Sequence, residues 1–125
     1  MAMRFERKVV VVTGGTDGIG LTTAQAFANE GAHVYITGRR EERLSDAVAQ
    51  IGNGVIGVQG DVSCPADLDR LYAKIKSDHG RVDVVYANAG VSESAAIDDI
   101  QDEHFDRLFD INVKGTIYTV QKALP

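Results

Sequence analysis

Residues 9–20 of the chain read Val-Val-Val-Val-Thr-Gly-Gly-Thr-Asp-Gly-Ile-Gly. Four consecutive valines predict a strand that is covered on both faces, because a half-exposed strand would alternate apolar and polar residues. The glycines predict a turn, and helical spacing begins after Gly18. A turn between a buried strand and a helix N-terminus presents backbone N–H groups at the positive end of the helix dipole, which together bind anions. The anion that we expect here is the diphosphate of a dinucleotide.

The glycine spacing alone is a weak signal. Gly14, Gly18 and Gly20 follow Gly-x-x-x-Gly-x-Gly rather than the Gly-x-Gly-x-x-Gly of the common dinucleotide fingerprint. An ordinary strand-to-helix turn is the alternative interpretation. The valine strand before the turn and the helix after it favour the anion site.

Length, charge and cysteine content limit the possible functions. With 125 residues the chain has the size of one domain, so we expect residues 1–125 to form a single dinucleotide-binding domain. The net charge of −5 argues against nucleic acid as a partner. Cys64 is the single cysteine, which excludes an intramolecular disulfide and suits a reducing compartment.

Targeting and metal signals are missing from the sequence. The first eight residues have no apolar signal core, and no apolar run approaches the roughly 20 residues of a membrane span. We therefore expect a cytoplasmic protein with no membrane partner. His33, His79 and His104 are scattered along the chain and predict no metal site.

Short β-branched runs alternate with longer segments of helical period, which predicts βαβ units and a parallel sheet. In the first helix, Ile19, Thr23, Ala26 and Phe27 recur at helical spacing. Ser63 is the expected N-cap of the third helix, with Pro65 in its first turn. The predicted strands are 9–12, 34–37, 55–59 and 82–87; the predicted helices are 18–30, 41–51, a third from Ser63 to Gly80, and a long fourth from about Gln101 toward Pro125, whose apolar positions are Phe105, Leu108, Ile111 and Tyr118.

These elements predict an α/β fold with a doubly wound, Rossmann-type parallel sheet. Right-handed crossovers and a reversal after the third strand give the strand order 3-2-1-4. The crevice for a cofactor then lies between the first and fourth strands. Gly14 and Asn88 should meet there, because each follows the carboxyl end of one of these strands.

Four short motifs resemble those of the short-chain dehydrogenases/reductases, and the resemblance spans the whole chain. They occur in the order in which that family has them, which is far more specific than any one motif alone. The motifs are Thr13-Gly14-Gly15-Thr16-Asp17-Gly18-Ile19-Gly20, Gly60-Asp61-Val62, Asn88-Ala89-Gly90 and Asn112-Val113-Lys114-Gly115.

The resemblance implies a role for each motif. The glycine turn would line the diphosphate, Asp61 and Val62 would flank the adenine, and the segment from Asn88 to Gly90 would close the crevice beside the ribose. Asn112 would support the catalytic relay. The implied cofactor-binding residues of the turn are Gly14, Thr16, Asp17, Gly18, Ile19 and Gly20.

Structural explanations remain open for three of these residues. Asp61 could cap the turn before the third helix, and Asn88 could stabilise a loop, because both residue types favour such turns. Asn112 could be an ordinary solvated residue in the middle of a helix.

The end of the second strand bears on the choice of cofactor. An NAD site needs a carboxylate there for the ribose hydroxyls, whereas an NADP site needs arginine for the 2′-phosphate. Here Arg39 and Arg40 follow the strand, so NADP(H) is preferred and NAD(H) remains possible. Asp17 opposes this preference, because several NADP-using relatives have a basic residue at that position. The alternative is that the two arginines are solvated and pair with Glu41 or Glu42.

Catalysis in the family depends on a serine, and on a tyrosine with a lysine four residues later, which all follow a fifth strand. This chain ends before such a strand, so we expect the amino-terminal, cofactor-binding half of an enzyme that is inactive alone. Two Tyr-x-x-x-Lys strings do occur, Tyr72 to Lys76 and Tyr118 to Lys122. Their positions in the fold do not match the catalytic pair, and chance recurrence explains them.

The sequence thus predicts an NADP(H)-binding segment of an oxidoreductase that acts on a small alcohol or carbonyl substrate. A non-catalytic dinucleotide-binding or scaffolding module is the main alternative, and a purely structural fragment is another. The fourth strand would form an open sheet edge, which is a template for pairing with another chain. We therefore expect the chain either to form homo-oligomers or to rely on residues that are absent from it.

Overall fold

The computed structural model describes residues 3–91 and 94–124, which form a parallel sheet with helices on both faces. A 3-10 turn at Ile97–Asp99 precedes the last two helices, and a π-helical turn at Asp110–Lys114 joins them. Within the described ranges, no helix is both long and apolar enough to cross a membrane. The strands are β1 (Val9–Thr13), β2 (His33–Gly38), β3 (Ile56–Gln59) and β4 (Val84–Ala87), and the helices are α1 (Gly18–Asn29), α2 (Glu41–Ile51), α3 (Pro65–His79), α4 (Asp102–Phe109) and α5 (Gly115–Ala123).

The strand order is β3-β2-β1-β4, which confirms the order predicted from the sequence. All three pairings are parallel. Thr13, the last residue of β1, is paired with Thr37 of β2 and Ala87 of β4. The carboxyl ends of the three strands therefore lie side by side, as a crevice between β1 and β4 requires.

The core consists of two apolar clusters, one on each face of the sheet. Because successive side chains of a strand point to opposite faces, Val10 and Val12 pack with α1 and α2, and Val9 and Val11 pack with α3. All four valines are completely buried. Each contributes roughly 1.5–3 kcal/mol by leaving water, so β1 anchors the whole sheet.

The residues at helical spacing in α1 do not all face the core, although Phe27 packs against it. Ile19 is 70% exposed and Ala26 is also exposed, whereas Gly20, Ala24 and Ala28 are buried against the sheet. The reason is the close approach of the helix to the glycine turn. At Gly20 a Cβ atom would overlap the carbonyl oxygen of Gly14, so only the smallest residues fit the inner face.

The predicted N-cap of α3 is also wrong. Cys64 occupies that position, and Pro65 begins the helix as expected. The hydroxyl and backbone N–H of Ser63 instead donate to Oδ1 of Asp61, at 2.7 and 2.9 Å. Ser63 therefore belongs to the turn after β3 rather than to the helix.

The long helix predicted at the carboxyl end is divided by the π-helical turn. Ile111 within the turn is buried, and Tyr118 of α5 packs against the same apolar cluster. Phe105, another apolar position of that pattern, lies outside the core. It is half exposed and stacks on Phe109, with ring centroids 4.3 Å apart.

Candidate cofactor-binding site

The glycine turn after β1 contacts the loop after β4 directly. Gly14 has a φ of +66°, a conformation that favours glycine, and a Cβ there would lie 2.9 Å from Cα of Ala89. The side-chain amide of Asn88 donates to the carbonyl oxygen of Gly14 at 3.2 Å. Gly20 packs on both groups, because its missing Cβ would also lie 2.6 Å from Nδ2 of Asn88. Gly14 and Asn88 therefore meet as predicted.

Thr13 fixes the same junction, and the sequence reasoning missed it. Its hydroxyl is buried and accepts hydrogen bonds from the backbone N–H groups of Asn88 and Ala89, both at 3.0 Å. A hydroxyl at the last position of an all-valine strand was the available signal, because a buried polar group needs partners. Thr13 thus joins the carboxyl end of β1 to the loop after β4.

The N-terminus of α1 presents free amide groups. The first helical hydrogen bond runs from the N–H of Leu21 to the carbonyl oxygen of Asp17 at 3.1 Å. The preceding N–H groups of Gly18, Ile19 and Gly20 have no hydrogen-bond partner in the described part of the chain. Gly18 has a φ of +55°, and the space where its Cβ would stand is open. The arrangement is suited to bind an anion such as a diphosphate.

Arg39 and Arg40 line the cleft at the carboxyl end of β2. The turn is held against this strand end, since a Cβ at Gly38 would lie 2.6 Å from the methyl group of Thr16. Within residues 3–91 and 94–124, neither guanidinium forms an ion pair, so the alternative pairing with Glu41 or Glu42 is not formed. Two guanidiniums therefore stand free to contact a phosphate group.

Arg43 lines the same cleft and was not predicted. It lies in the first turn of α2, and helical side chains lean toward the helix N-terminus, which here is the end that carries Arg39 and Arg40. Its Nη1 atom lies 3.7 Å from Oδ2 of Asp17 in the glycine turn. Arg43 follows Arg39 by four residues, and this spacing was the available signal in the sequence that both arginines line one cleft.

Asp61 caps the turn after β3, as the structural alternative proposed. Its Oδ1 accepts the two bonds from Ser63 described above, and its backbone N–H donates to Oδ2 of Asp67 at 2.9 Å. This last bond, together with Arg70, lowers the pKa of the Asp67 carboxyl below its ordinary value. Asp61 and Val62 nevertheless line the cleft, so structural and binding roles are compatible there.

Asn112 is exposed, but its side-chain amide is also bonded to the loop after β4. Its Oδ1 accepts from the backbone N–H of Val91, and its Nδ2 donates to the Val91 carbonyl oxygen, both at 2.8 Å. A Cβ at Gly90 would lie 3.0 Å from Oδ1 of Asn112. Asn112 thus holds the loop after β4 in place from the π-helical turn.

The structure brings most of the predicted residues to one cleft with an empty volume of about 750 Å³. Of the predicted set, Gly18, Ile19, Gly20, Asn88 and Asn112 do not line its wall. Gly20, Asn88 and Asn112 position residues that do. The lining residues are Gly14, Thr16, Asp17, Thr37, Gly38, Arg39, Arg40, Arg43, Gly60, Asp61, Val62, Ala89, Gly90, Val91 and Ile111.

The two Tyr-x-x-x-Lys strings join α3 to α5. The hydroxyl of Tyr72 donates to the carbonyl oxygen of Thr119 at 2.7 Å, and burial raises the Tyr72 pKa to about 12. Lys122 pairs with Asp69 at 2.7 Å. In the part of the chain that the structure describes, no group of three or more histidine, cysteine or carboxylate side chains could hold a metal ion.

A parallel sheet in the order 3-2-1-4, with a glycine turn and free helix amides at its switch point, defines the class of dinucleotide-binding α/β proteins. Comparison with protein families narrows the class. The family model described as short chain dehydrogenase matches residues 8–125. The chain belongs to the short-chain dehydrogenase family.

The relatives are oxidoreductases, and the chain spans about half the length of the curated relatives that it matches. Oxidoreductase asL5 of Sarocladium schorii is 47% identical over 122 residues, which are 98% of this chain and 49% of that protein. L-Sorbose reductase from Gluconobacter frateurii, complexed with NADPH and L-sorbose, superposes with a TM-score of 0.91 at 30% identity, over 100% of this chain and 49% of that one. The 3-ketoacyl-(acyl-carrier-protein) reductase from Brucella melitensis, complexed with NADH, superposes with a TM-score of 0.90 at 32% identity. The match covers 96% of this chain and 50% of that one.

Proposed function

We propose that residues 1–125 form the nicotinamide-dinucleotide-binding domain of an oxidoreductase that acts on a small alcohol or carbonyl substrate. The single observation that carries this proposal is the glycine turn, where the free N–H groups of Gly18, Ile19 and Gly20 adjoin Gly14 at the switch point of the sheet. Membership of the short-chain dehydrogenase family supports the reaction class.

The cleft offers suitable groups for each part of the cofactor. In the proposal, the turn from Gly14 to Gly20 binds the diphosphate through backbone amides, including those of Thr16, Asp17, Gly18 and Ile19. Asp61 and Val62 flank the adenine. The segment Asn88, Ala89 and Gly90 lies beside the ribose, with Asn112 holding that segment in position. When bound, the nicotinamide ring supplies or accepts the hydride. The residues named here contribute by orienting the cofactor.

We further propose that NADP(H) is preferred over NAD(H). Arg39 and Arg40 stand at the end of β2 without carboxylate partners in the described ranges, and a guanidinium matches a phosphate in bidentate fashion. Relatives of the chain include proteins complexed with NADPH and with NADH, so the preference of this chain depends on its own residues.

Titration of the chain with NADPH and with NADH, followed by nicotinamide fluorescence, tests both proposals. We expect both cofactors to bind, NADPH more tightly. Arg39→Ala should weaken NADPH binding by about tenfold or more, because it removes a charged hydrogen bond of roughly 1.5–3 kcal/mol, and it should spare NADH. Arg81→Ala is a matched control, because Arg81 lies at the opposite end of the sheet beside Asp83.

Two results would contradict these proposals separately. If neither cofactor binds, the site is not a dinucleotide site. If Arg39→Ala weakens the binding of both cofactors equally, the dinucleotide site is retained but the proposed role of Arg39 at the 2′-phosphate is wrong.

A non-catalytic binding or scaffolding module is the second candidate. It is favoured by the engagement of Tyr72 with Thr119 and of Lys122 with Asp69, which leaves these groups in structural contacts between α3 and α5. Cofactor binding without turnover of any alcohol or carbonyl would support this candidate, and measured turnover by this chain would exclude it.

We also infer that the chain self-associates. All four residues of β4 are only partly buried, and its outer edge has no neighbouring strand in the described sheet. Large apolar side chains are exposed along α4, the π-helical turn and α5, namely Phe105, Phe109, Val113, Ile117 and Val120. We name this surface the carboxyl-terminal apolar face.

A further inference from the structure

Asp17 stands at the N-cap of α1 and yet does not cap it. Its backbone is extended, with φ −157° and ψ 174°, as N-cap residues usually are. An aspartate in this position normally accepts a hydrogen bond from the second or third helical N–H, which here belong to Ile19 and Gly20. In the described part of the chain, the Asp17 side chain forms no such bond.

The carboxylate of Asp17 is instead turned toward α2. Its Oδ2 lies 3.7 Å from Nη1 of Arg43, and this is the one ion pair of Asp17 in the described residues. The two side chains are 74% and 57% exposed, so the pair adds little to folding stability. The pair instead holds the negative charge of Asp17 on the side of the turn that faces α2, away from the N-terminus of α1.

The position of this charge matters for an anionic ligand. A carboxylate bonded to the N–H groups of Ile19 and Gly20 would occupy the donors that a diphosphate needs, and it would repel the phosphates. With Asp17 turned to Arg43, those donors remain free.

We propose that Arg43 is a positioning residue that keeps Asp17 off the helix N-terminus and so keeps the diphosphate site open. The inference rests on the proposed function of the glycine turn. It assigns to Arg43 an effect on both cofactors, because NADH and NADPH share the diphosphate. This distinguishes Arg43 from Arg39 and Arg40, whose proposed effect is confined to the 2′-phosphate.

The test is a double-mutant cycle with NADH as the ligand. Arg43→Ala should weaken NADH binding by about fivefold, the size of a typical N-cap contribution, because Asp17 is then free to cap α1. Adding Asp17→Ala should restore the affinity to within about twofold of the Asp17→Ala single variant. Arg43→Lys keeps a cation beside Asp17 and should bind nearly as the wild type does. Arg4→Ala, which removes an exposed guanidinium paired with Glu30, is the control.

A measurement without ligand gives an independent readout. In the Arg43→Ala protein, the amide hydrogen of Ile19 or Gly20 should exchange more slowly than in the wild type, and the Asp17→Ala change should abolish this protection. A merely structural role of Arg43 would not produce protection that depends on Asp17.

Three results would overturn the inference. They are unchanged NADH binding in Arg43→Ala, a loss confined to NADPH, and a loss that persists in the double variant. Any of these, with wild-type NADH binding intact, leaves the proposed function standing. Failure of the wild-type chain to bind either cofactor would instead refute the proposed function.

Discussion

The two ends of the chain build their share of the cleft in different ways. Around β1 and α1, backbone packs directly on backbone: Gly20 lies against the Gly14 carbonyl, and Val9 to Val12 are completely buried. Around β4 and α5, side chains make the contacts, the strand is only partly buried, and the carboxyl-terminal apolar face is exposed. Backbone contacts leave no freedom to adjust, so the rigid half of the cleft is the half that presents the amide groups.

The difference follows from position in the sheet. β1 has β2 on one side and β4 on the other, whereas β4 has no strand partner except β1 among the residues that the structure describes. A central strand is covered on both faces and both edges, and an edge strand has one row of unpaired backbone groups. The contrast can be tested by matched substitutions in the two regions.

The largest difference is expected between two helical glycines. Gly20→Ala should lower the free energy of unfolding by about 3 kcal/mol, because the new methyl group overlaps a backbone carbonyl that cannot move aside. Gly115→Ala places its methyl group 2.6 Å from a methyl group of the buried Val62 side chain, which must shift but is held less firmly than a backbone carbonyl, and alanine gains about 1 kcal/mol of helix propensity. We expect a net loss of about 1 kcal/mol there. Urea denaturation of both variants measures the difference, and equal losses would contradict the contrast.

A smaller difference is expected between two strand valines. Val11→Ala should cost about 2–3 kcal/mol, because it leaves a cavity in a completely buried position of β1. Val85→Ala in β4 should cost about 1 kcal/mol, because Val85 is only partly buried. The two residues are register partners, so the comparison holds the pairing constant. A cost at Val85 as large as that at Val11 would show that this edge is covered in solution.

The smallest effect in free energy is expected for self-association. Sedimentation velocity over a range of concentrations should show larger species at high concentration, and Ile117→Lys should reduce them by charging the carboxyl-terminal apolar face. Ile19→Lys is the matched control, because Ile19 is an equally large exposed side chain in the other region. A compact monomer at every concentration would refute the inference.

The fold and much of the site could be predicted because their signals are either local or follow from general topology rules. The valine run and the glycine turn are patterns of neighbouring residues. The strand order and the meeting of Gly14 with Asn88, which the structure confirms, follow from crossover handedness and the reversal after the third strand. The buried face of α1 could not be predicted from helical period. The helix packs through Gly20, and hydrophobicity carries no signal for an approach that only a missing side chain permits.

The position of Ser63 could not be predicted because two local roles compete. Ser63 is a favoured residue type for a helix cap, but its hydroxyl and backbone N–H donate to Asp61, two residues earlier. Other features depend on contacts between distant segments. Arg43 pairs with Asp17 across the cleft, and Asn112 with Val91 from the π-helical turn. Nothing within a few residues of these side chains indicates their partners.

The contact between Gly14 and Asn88 also has a consequence for the order of folding. These residues are 74 positions apart, whereas β1 and β2 are joined by one short crossover. Closing so long a loop costs conformational entropy before any contact offsets it, so β4 should join the sheet after β1 and β2 have paired. We therefore expect the cleft to be completed late on the folding pathway, and the nascent chain to gain affinity for a dinucleotide only at that last step.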